Sequence, residues 1–477
     1  MRVYERPLCT ASIHFSPPRK MHSIAHILPP EIIREIYGYF HAPMRLHRLN
    51  EFPWYLGQIC APWRSIFHSM VSNFWNKLDI DLNIMDKYCN LNLILHHYDF
   101  ILLLLRYFLD HTRGRPFSFQ FKTRPRARVA EEDERMLRLF ELLVAESIRW
   151  REINIRVTVL SPLPILYKAK HHMPLLSSAQ LVCAGGMYPQ YPQYMHDLFE
   201  DVPHLTHLEL ASFSNWRVNW AFLRVLKFAC GYYRYDHHLI SVLRKAKRLE
   251  ELALHVLGSY SHMVGSISLI NLPNLKVLST ISAELLPLLQ TPSLEELYIQ
   301  GSNTFLGLDR LRNNVISFLT RSSCQLKCLG VAECGVDFLT DVLRSTPDLL
   351  QLNLDTGKDM VKSFSQLAFR HSNAPLACHL QSLVVVDRGF SFMELMELSV
   401  LLASRTEGVE VSSGAAPVEK LQKLTIITSS KGGFVQYNKR SAVQTLGQQC
   451  AEQGVEFTVQ HTHDIRWSYD NMSILDW

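Results

Sequence analysis

The sequence predicts an α/β fold in which a short helical module precedes a long curved solenoid, with parallel strands on the concave face and helices on the convex face. Three observations predict it: a leucine pattern that recurs along residues 205–426, helical segments between its copies, and an apolar helical cluster before residue 76. Units that cannot bury their apolar face alone gain a continuous core by stacking. We therefore expect one stack of units rather than several separate domains.

The recurring pattern is a leucine, two variable residues, a second leucine, one variable residue and a further apolar residue. Its alternating end places every second side chain on one face of a short strand. Prolines such as Pro203 and Pro347 precede several copies and end the preceding helix. A degraded copy occurs at Leu275–Leu278. The full copies are Leu205-Leu208-Leu210, Leu223-Leu226-Phe228, Leu249-Leu252-Leu254, Leu294-Leu297-Ile299, Leu326-Leu329-Val331, Leu349-Leu352-Leu354, Leu380-Leu383-Val385 and Leu421-Leu424-Ile426.

Elements upstream of these copies follow the same order of strand and helix. The segments 78–82, 117–121 and 153–157 alternate like strands, and segment 132–148 has helical spacing. We therefore predict an array over residues 77–477, a helical module over residues 24–76 and a flexible N-terminal segment over residues 1–23. Only one clear copy of the pattern follows Arg405.

Composition excludes several functional classes. With 47% hydrophobic and 19% charged residues, the chain has enough apolar material to fold almost throughout. The net charge of +5 is spread along the chain, so we expect no nucleic-acid partner. The apolar run from Phe100 to Leu105 ends at Arg106 and predicts a buried helix rather than a membrane span. Ten scattered cysteines and an N-terminus without a signal peptide predict a cytoplasmic or nuclear protein.

The module over residues 24–76 combines amphipathic helices with tryptophans. Ile32, Ile33, Ile36 and Phe40 recur at helical spacing after a Pro-Pro pair that favours a helix start. About 50 residues bury only a modest part of their surface, so such a module gains stability by docking on a partner. The tryptophans of the module are Trp54, Trp63 and Trp75.

The order Leu28-Pro29, Glu31-Ile32, Ile36, Gln58-Ile59-Cys60, Trp63-Arg64 and Trp75 resembles the F-box, in the variant abundant in mushroom-forming fungi. The uneven spacing of the leucine pattern is similar to the irregular leucine-rich repeats of F-box proteins. The resemblance implies that the module binds a Skp-type adaptor and, through it, a cullin. Pro62 departs from the F-box pattern, and we expect it to remove a helical hydrogen bond. The adaptor-binding residues implied by the resemblance are Leu28, Pro29, Ile32, Ile36, Leu56, Ile59, Cys60 and Trp63.

The concave strand face is the predicted surface for an unknown target protein. Its candidate contacts are variable residues next to the repeat leucines, namely His207, Glu209, Glu251, Glu296 and Gln351. We expect no cofactor and no metal, because the spacing of Cys324, Cys328 and Cys334 fits no usual zinc site. No glycine-rich phosphate loop or nucleophile motif occurs, so we expect no catalysis.

Two alternatives to a ligase receptor remain. The first is a repeat scaffold without any ligase link, whose N-terminal helices serve only as the cap that a solenoid needs. A module fully buried against the first unit would favour it. The second is an enzyme with a concealed site, which would need several polar residues with shifted pKa values converging in one pocket.

Overall fold

The structure is a computed structural model, and four of the sequence predictions concern residues that it does not describe. The predicted flexible segment 1–23, the predicted helical position Phe40, Trp54 and the implied adaptor contact Leu56 lie outside the described residues. The structure describes residues 28–39, 43–46, 57–70, 75–82, 91–123, 130–183, 193–210, 216–232, 237–257, 268–281, 284–301, 307–355, 360–368, 376–387, 392–406, 419–428 and 437–461.

Eleven α-helices occur in these residues, and they differ widely in length. They are α1 Pro30–Gly38, α2 Ala61–Ser69, α3 Leu91–His111, α4 Ala130–Ala145, α5 Leu163–Tyr167, α6 His237–Lys245, α7 Leu308–Ser322, α8 Val336–Arg344, α9 Met360–Leu367, α10 Phe392–Thr406 and α11 Tyr437–Glu452. Short 3₁₀ helices cover Ser147–Arg149, Gln193–Asp197, Trp220–Phe222 and Leu286–Leu288.

Strands alternate with these helices along the chain. They are β1 Met44–Arg45, β2 Lys77–Asp81, β3 Phe117–Lys122, β4 Trp150–Val157, β5 Ser178–Cys183, β6 His207–Leu210, β7 Val225–Tyr232, β8 Glu251–Leu257, β9 Ile270–Asn271, β10 Val277–Thr280, β11 Leu289–Gln290, β12 Glu296–Gln300, β13 Cys328–Ala332, β14 Gln351–Asp355, β15 Ser382–Asp387, β16 Lys423–Thr428 and β17 Glu456–His461.

Fifteen of these strands form one parallel sheet, and β9 pairs with β11 in a separate two-stranded sheet. The order of strands across the large sheet repeats their order along the chain. Helices fill most of the connections, as parallel neighbours require. The α/β class is therefore confirmed, and the arrangement is coarsely that of a solenoid.

The leucine pattern forms the core-facing ladder of this sheet. Leu252 of β8 is in register with Leu278 of β10, and the ladder continues through Leu297, Leu329, Leu352, Leu383 and Leu424 of the following strands. All of these side chains are buried. The prediction that each copy ends in a strand is confirmed for all nine copies, because every copy contributes one strand to the large sheet.

One continuous apolar core runs beneath the sheet from Ile33 of α1 to Val455, which precedes β17, and a second, small cluster of Val384, Val386 and Ile427 is separate from it. The module over residues 24–76 belongs to this core, and its residues 44–45 form the edge strand β1, which pairs with β2. The sheet therefore begins inside the segment assigned to the helical module. The N-terminal helices are packed on the sheet and are not a separate globule.

A buried arginine holds one connection in the C-terminal part. Arg405 of α10 is only 2% exposed. Its guanidinium donates hydrogen bonds to the carbonyl oxygens of Leu367, Leu376 and Ala377, over 3.2, 2.8 and 2.9 Å. Burial lowers the pKa of Arg405 to about 10, which leaves the side chain charged at neutral pH. Arg405 therefore joins α10 to the end of α9 and to the chain entering β15.

Two further sequence expectations differ from the structure. The run from Phe100 to Leu105 is helical, but the prediction of a buried helix is wrong for Phe100 and Leu103, which point to solvent because α3 buries only one face. The expectation that Pro62 removes a helical hydrogen bond is also wrong. Pro62 lies in the first turn of α2, where backbone N–H groups have no intrahelical partner to lose.

Candidate functional site

The first candidate surface starts from the way α1 packs. Ile33 and Tyr37 are four residues apart, so they share one face of the helix, and both are buried. The Tyr37 hydroxyl donates a hydrogen bond to the carbonyl oxygen of Trp63 over 3.2 Å, and the two rings meet edge to face. Burial raises the pKa of Tyr37, which keeps this donor protonated. These contacts fix α1 against α2.

A neighbouring stripe of α1 remains in contact with solvent. Ile32 is 42% exposed, Pro29 is also exposed, and Leu28 and Ile36 are half-buried. Ile59, just before α2, is 40% exposed. We call these residues, Leu28, Pro29, Ile32, Ile36 and Ile59, the N-terminal apolar surface. Large exposed side chains of this kind are available to a partner while the opposite face of α1 holds the fold.

The implied adaptor-binding residues thus divide into two groups. Five of them form the N-terminal apolar surface, whereas Cys60 and Trp63 are buried and pack in the module's own core. Cys60 lies at the start of α2, and Trp63 follows on the face that meets α1. Cys60 and Trp63 therefore belong to the internal packing of the module. Sequence spacing alone did not separate the two groups.

The junction between module and array is an aromatic cluster. Trp75 stacks on His111 of α3 at 4.6 Å between ring centroids and packs against Phe67 of α2 at 5.4 Å. His68 Nδ1 lies 3.0 Å from the Tyr107 hydroxyl. The pKa of His68 is lowered, mainly because the side chain is buried and further because His111 and Arg64 lie nearby. The module is consequently fixed to the first long helix of the array.

The second candidate surface is the face of the sheet opposite the leucine ladder, which is the strand face predicted to be concave. We call it the outer face. Strand register places His207, Glu251, Glu296 and Gln351 in one row, with Val225, Val277 and Cys328 on the strands between them. Glu209 lies in the adjacent row, two residues further along β6. The structure therefore brings the predicted target-binding residues onto one continuous face.

Polar side chains of neighbouring strands pair with one another on this face from β2 to β8. Gln120 donates to Asp79, and Asn154 donates to Gln120, both over 3.4 Å. Gln180 Nε2 donates to Glu209 Oε1 over 2.5 Å. Further along, Lys227 Nζ lies 2.6 Å from Glu251 Oε1. We call this set the polar ladder: Asp79, Gln120, Asn154, Gln180, Glu209, Lys227 and Glu251.

A different arrangement follows on β12 to β14. The Tyr298 hydroxyl donates to Glu296 Oε2 over 2.8 Å and lies 3.5 Å from Cys328 Sγ. Asn353 Nδ2 donates to the same sulfur over 3.5 Å, and Gln351 Nε2 donates to Asn353 Oδ1 over 3.0 Å. These five residues form the Tyr298 network. Glu296 and Gln351, which the sequence predicted separately, thus belong to one hydrogen-bonded group.

A glycine makes room for this network. A Cβ atom on Gly330 would lie 2.2 Å from Tyr298 Cδ1, so only glycine lets the tyrosine ring lie across β13. Sequence reasoning missed Tyr298 and Asn353 as site residues. A signal for both was present, because each stands two positions after a predicted residue and period two keeps it on the same strand face.

Burial raises the pKa of Cys328 to about 11, which keeps its thiol protonated and weakly nucleophilic. Within the described ranges, no group of three or more His, Cys, Asp or Glu side chains is arranged to hold a metal ion. None of the helices in that part of the chain has the combination of length and hydropathy that crossing a bilayer requires.

Comparison of the sequence with models of known protein families gives no match, and comparison with curated proteins gives none either.

Proposed function

We propose that the protein is the target-recognition subunit of an SCF-type cullin-RING E3 ubiquitin ligase. In this proposal the N-terminal module is an F-box that binds a Skp-type adaptor, and the array is a leucine-rich-repeat solenoid that binds a target on its concave strand face. The observation that carries the proposal is the solvent exposure of Ile32 and Ile59 beside a fully packed helical pair. Ubiquitin transfer belongs to other subunits, so the chain itself needs no catalytic group.

Energetics support docking at the N-terminal apolar surface. Burying a fully exposed isoleucine side chain is worth about 1.5–3 kcal/mol, so covering the exposed part of Ile32 and Ile59 gives an adaptor a fraction of that gain at each residue. The buried stripe Ile33 and Tyr37 keeps α1 in place whether or not a partner is bound. Docking therefore does not require the module to unfold, and little reorganisation opposes binding.

The continuous core supports a link between the two proposed binding functions. The aromatic cluster of Trp75, His68 and Tyr107 packs the module against α3, and the sheet continues from there to β17. A target on the outer face would therefore be held at a defined position relative to the adaptor. Such a fixed geometry is what a ligase needs to present a target to its transfer subunits.

The test is co-purification of the full chain with a fungal Skp-type adaptor, comparing the wild type with the double variant Ile32→Glu and Ile59→Glu. Both positions are exposed, so we expect the variant to fold and to lose the adaptor. The control is Ile148→Glu, which places the same change at an exposed isoleucine in a 3₁₀ helix before β4. Equal adaptor recovery in wild type, double variant and control would reject the F-box assignment.

A second candidate function is a repeat scaffold without a ligase link, with α1 and α2 as the cap of the solenoid. The shared core and the pairing of β1 with β2 favour it. The exposure of Ile32 and Ile59 favours the adaptor instead, since a pure cap presents a polar outer face. Retention of target binding by a chain that never binds the adaptor would support the scaffold.

A further inference from the structure

Arg156 of β4 is a cation on the outer face of the sheet that the rest of the fold leaves unpaired. It is half-buried, and its Nε–H is shielded from solvent without an acceptor within hydrogen-bond distance. Among the residues that the structure describes, no carboxylate forms an ion pair with its guanidinium. A sheltered donor without an acceptor lowers the stability of the fold. An acceptor supplied by a ligand would remove that cost.

The neighbouring strand adds a second cation. Strand register pairs Arg156 with Lys122 of β3, and neighbouring strands lie about 4.8 Å apart. Like charges at paired positions of a sheet repel each other, so an anion between them is favoured. Asp81 of β2 lies on the far side of Lys122, with its Oδ2 3.7 Å from the lysine Nζ. On the other side of Arg156, β5 contributes the buried apolar Val182.

Hydrogen bonds at the ends of β3 and β4 fix the backbone beside this pair. The Thr123 N–H donates to the carbonyl oxygen of Arg156 over 2.9 Å. The Thr158 N–H donates to the Thr123 hydroxyl over 2.9 Å, and both threonines are buried. The two strands therefore hold Lys122 and Arg156 side by side, which reduces the ordering cost for a ligand that contacts both.

A second sheltered atom lies on the same face of β4. Asn154 stands two residues before Arg156, so both side chains leave the strand on the outer face. Its Oδ1 is shielded from solvent and accepts no hydrogen bond. β4 thus presents an unpaired donor and an unpaired acceptor beside two cations. A peptide segment with a carboxylate and a backbone N–H has the complementary groups.

We propose that Arg156 and Lys122 bind an aspartate or glutamate side chain from an acidic segment of the target protein. The planar guanidinium matches a carboxylate through two parallel N–H···O hydrogen bonds, and the Lys122 ammonium adds a second positive charge. A backbone N–H of the same segment donates to Asn154 Oδ1. The inference rests on the target-binding part of the proposed function, and none of its residues belongs to the N-terminal apolar surface.

Charge makes this site selective. A basic segment at the same place would bring like charges close to Arg156 and Lys122, which disfavours it. Both residues remain partly exposed, so the attraction to an acidic segment weakens as salt screens the charges. Binding should therefore depend on the sign of the partner's charge and on ionic strength.

The test measures binding of fluorescein-labelled octaglutamate and octalysine to the full chain by fluorescence anisotropy. We expect octaglutamate to bind more tightly than octalysine and its Kd to rise about fivefold in Arg156→Gln, which is about 1 kcal/mol. Arg156→Lys keeps the charge but loses the two parallel donors, so its Kd should lie between those of the wild type and Arg156→Gln. Lys122→Gln should weaken binding less than Arg156→Gln does, because Asp81 already balances part of the lysine charge.

The matched control is Arg151→Gln, which removes the same charge from an exposed arginine near the start of β4. Its Kd for octaglutamate should stay within about twofold of the wild type, since exposed single charges contribute little. Equal weakening in Arg151→Gln and Arg156→Gln would overturn the inference. Equal binding of the two peptides, or no binding of octaglutamate, would overturn it as well.

Thermal unfolding distinguishes a binding arginine from a structural one. Arg156→Gln removes a sheltered donor that has no acceptor, so the melting temperature of the variant should not fall below that of the wild type. A lower melting temperature would contradict the inference, because it would show that the guanidinium supports the fold. The melting temperature of Arg151→Gln gives the reference for loss of an exposed arginine.

The same variants separate this inference from the proposed function. Arg156→Gln should co-purify with a Skp-type adaptor as the wild type does, because Arg156 lies on β4 and outside the N-terminal apolar surface. Adaptor binding without an octaglutamate preference would reject the carboxylate site alone. An octaglutamate preference that depends on Arg156, without adaptor binding, would reject the ligase assignment and leave the carboxylate site standing.

Discussion

The polar ladder and the Tyr298 network lie on the same face of the same sheet, above the same leucine ladder, yet they are built differently. The polar ladder pairs long side chains across strands, as Lys227 does with Glu251. In the Tyr298 network, one large ring instead packs directly against Gly330, which has no side chain. The repeat pattern therefore constrains the core-facing positions and leaves the outer face to vary from region to region.

The two regions also differ in how their stability is distributed. Around the polar ladder, several partly exposed interactions each contribute a little, including the ion pairs of Asp79 with Arg45 and Asp81 with Lys122. From β13 onward, partly exposed pairs such as Lys423 with Glu456 are joined by single buried groups. Arg405 is one of these on the helical side of the sheet, and Gly330 is another on the outer face.

Arg405→Met tests this difference with the largest expected effect. Methionine preserves much of the apolar stem but donates nothing, so the carbonyls of Leu367 and Leu376 lose this donor. Ala377 keeps the backbone N–H of Leu380. We expect the free energy of unfolding to fall by about 3 kcal/mol, because each buried acceptor left unpaired costs about 1–3 kcal/mol. Chemical denaturation measures the change.

The control for this prediction is Arg344→Met at the end of α8. Arg344 is exposed and pairs with Asp341 one turn earlier. We expect that substitution to change the unfolding free energy by less than about 0.5 kcal/mol. Equal losses in the two variants would show that Arg405 contributes no more than a surface arginine.

Gly330→Ala tests the outer face of the same region. The added Cβ would meet the Tyr298 ring, so we expect a loss of about 1–3 kcal/mol in unfolding free energy from overpacking. In a Tyr298→Ala background the same substitution should cost almost nothing, because the clash is gone. A double-mutant cycle by denaturant unfolding measures this coupling.

A second glycine supplies the control. At Gly335, just before α8, an added Cβ would meet Leu308 at an ordinary contact distance of 3.5 Å. Gly335→Ala should therefore lower the free energy of unfolding by less than Gly330→Ala does. Additive effects of Gly330→Ala and Tyr298→Ala would contradict the packing described for the ring.

The polar ladder provides the smallest expected effect. Replacing Lys227 by methionine, Glu251 by glutamine, or both should reveal a coupling of about 0.2–1 kcal/mol, as is usual for partly exposed ion pairs. The coupling should shrink as salt rises toward 1 M, where the screening length is about 3 Å. A coupling free energy larger than that between Gly330 and Tyr298 would show that the polar ladder holds the stronger pairwise interaction of the two regions.

Much of the fold was predictable because the regular spacing of the core-facing leucines predicts where each strand lies and how it aligns with its neighbour. The strands β5 and β17 were missed because other residues stand at the position of the second leucine. Ala179 of β5 is in register with Leu208, and Phe457 of β17 is in register with Leu424. The edge strand β1 has only two residues, too few for any periodic signal.

For the candidate sites, periodicity predicted which face of a strand or helix a residue occupies but not which residues it contacts. Glu296 and Gln351 follow from their places beside repeat leucines, but the role of Gly330 depends on a tyrosine one strand away. Likewise, spacing placed Ile32 and Trp63 in one family pattern without showing that Ile32 faces solvent and Trp63 is buried. Contacts between elements decide such differences, and the local sequence does not contain them.

The agreement between strand order and chain order has a consequence for synthesis. As the nascent chain leaves the ribosome, every new strand of the large sheet meets a neighbour that has already emerged. At about 5–20 residues per second, a unit of roughly 30 residues takes a few seconds to appear. Contacts between near neighbours in sequence form faster than that. The protein can therefore assemble vectorially, and no strand has to wait for a partner encoded far downstream.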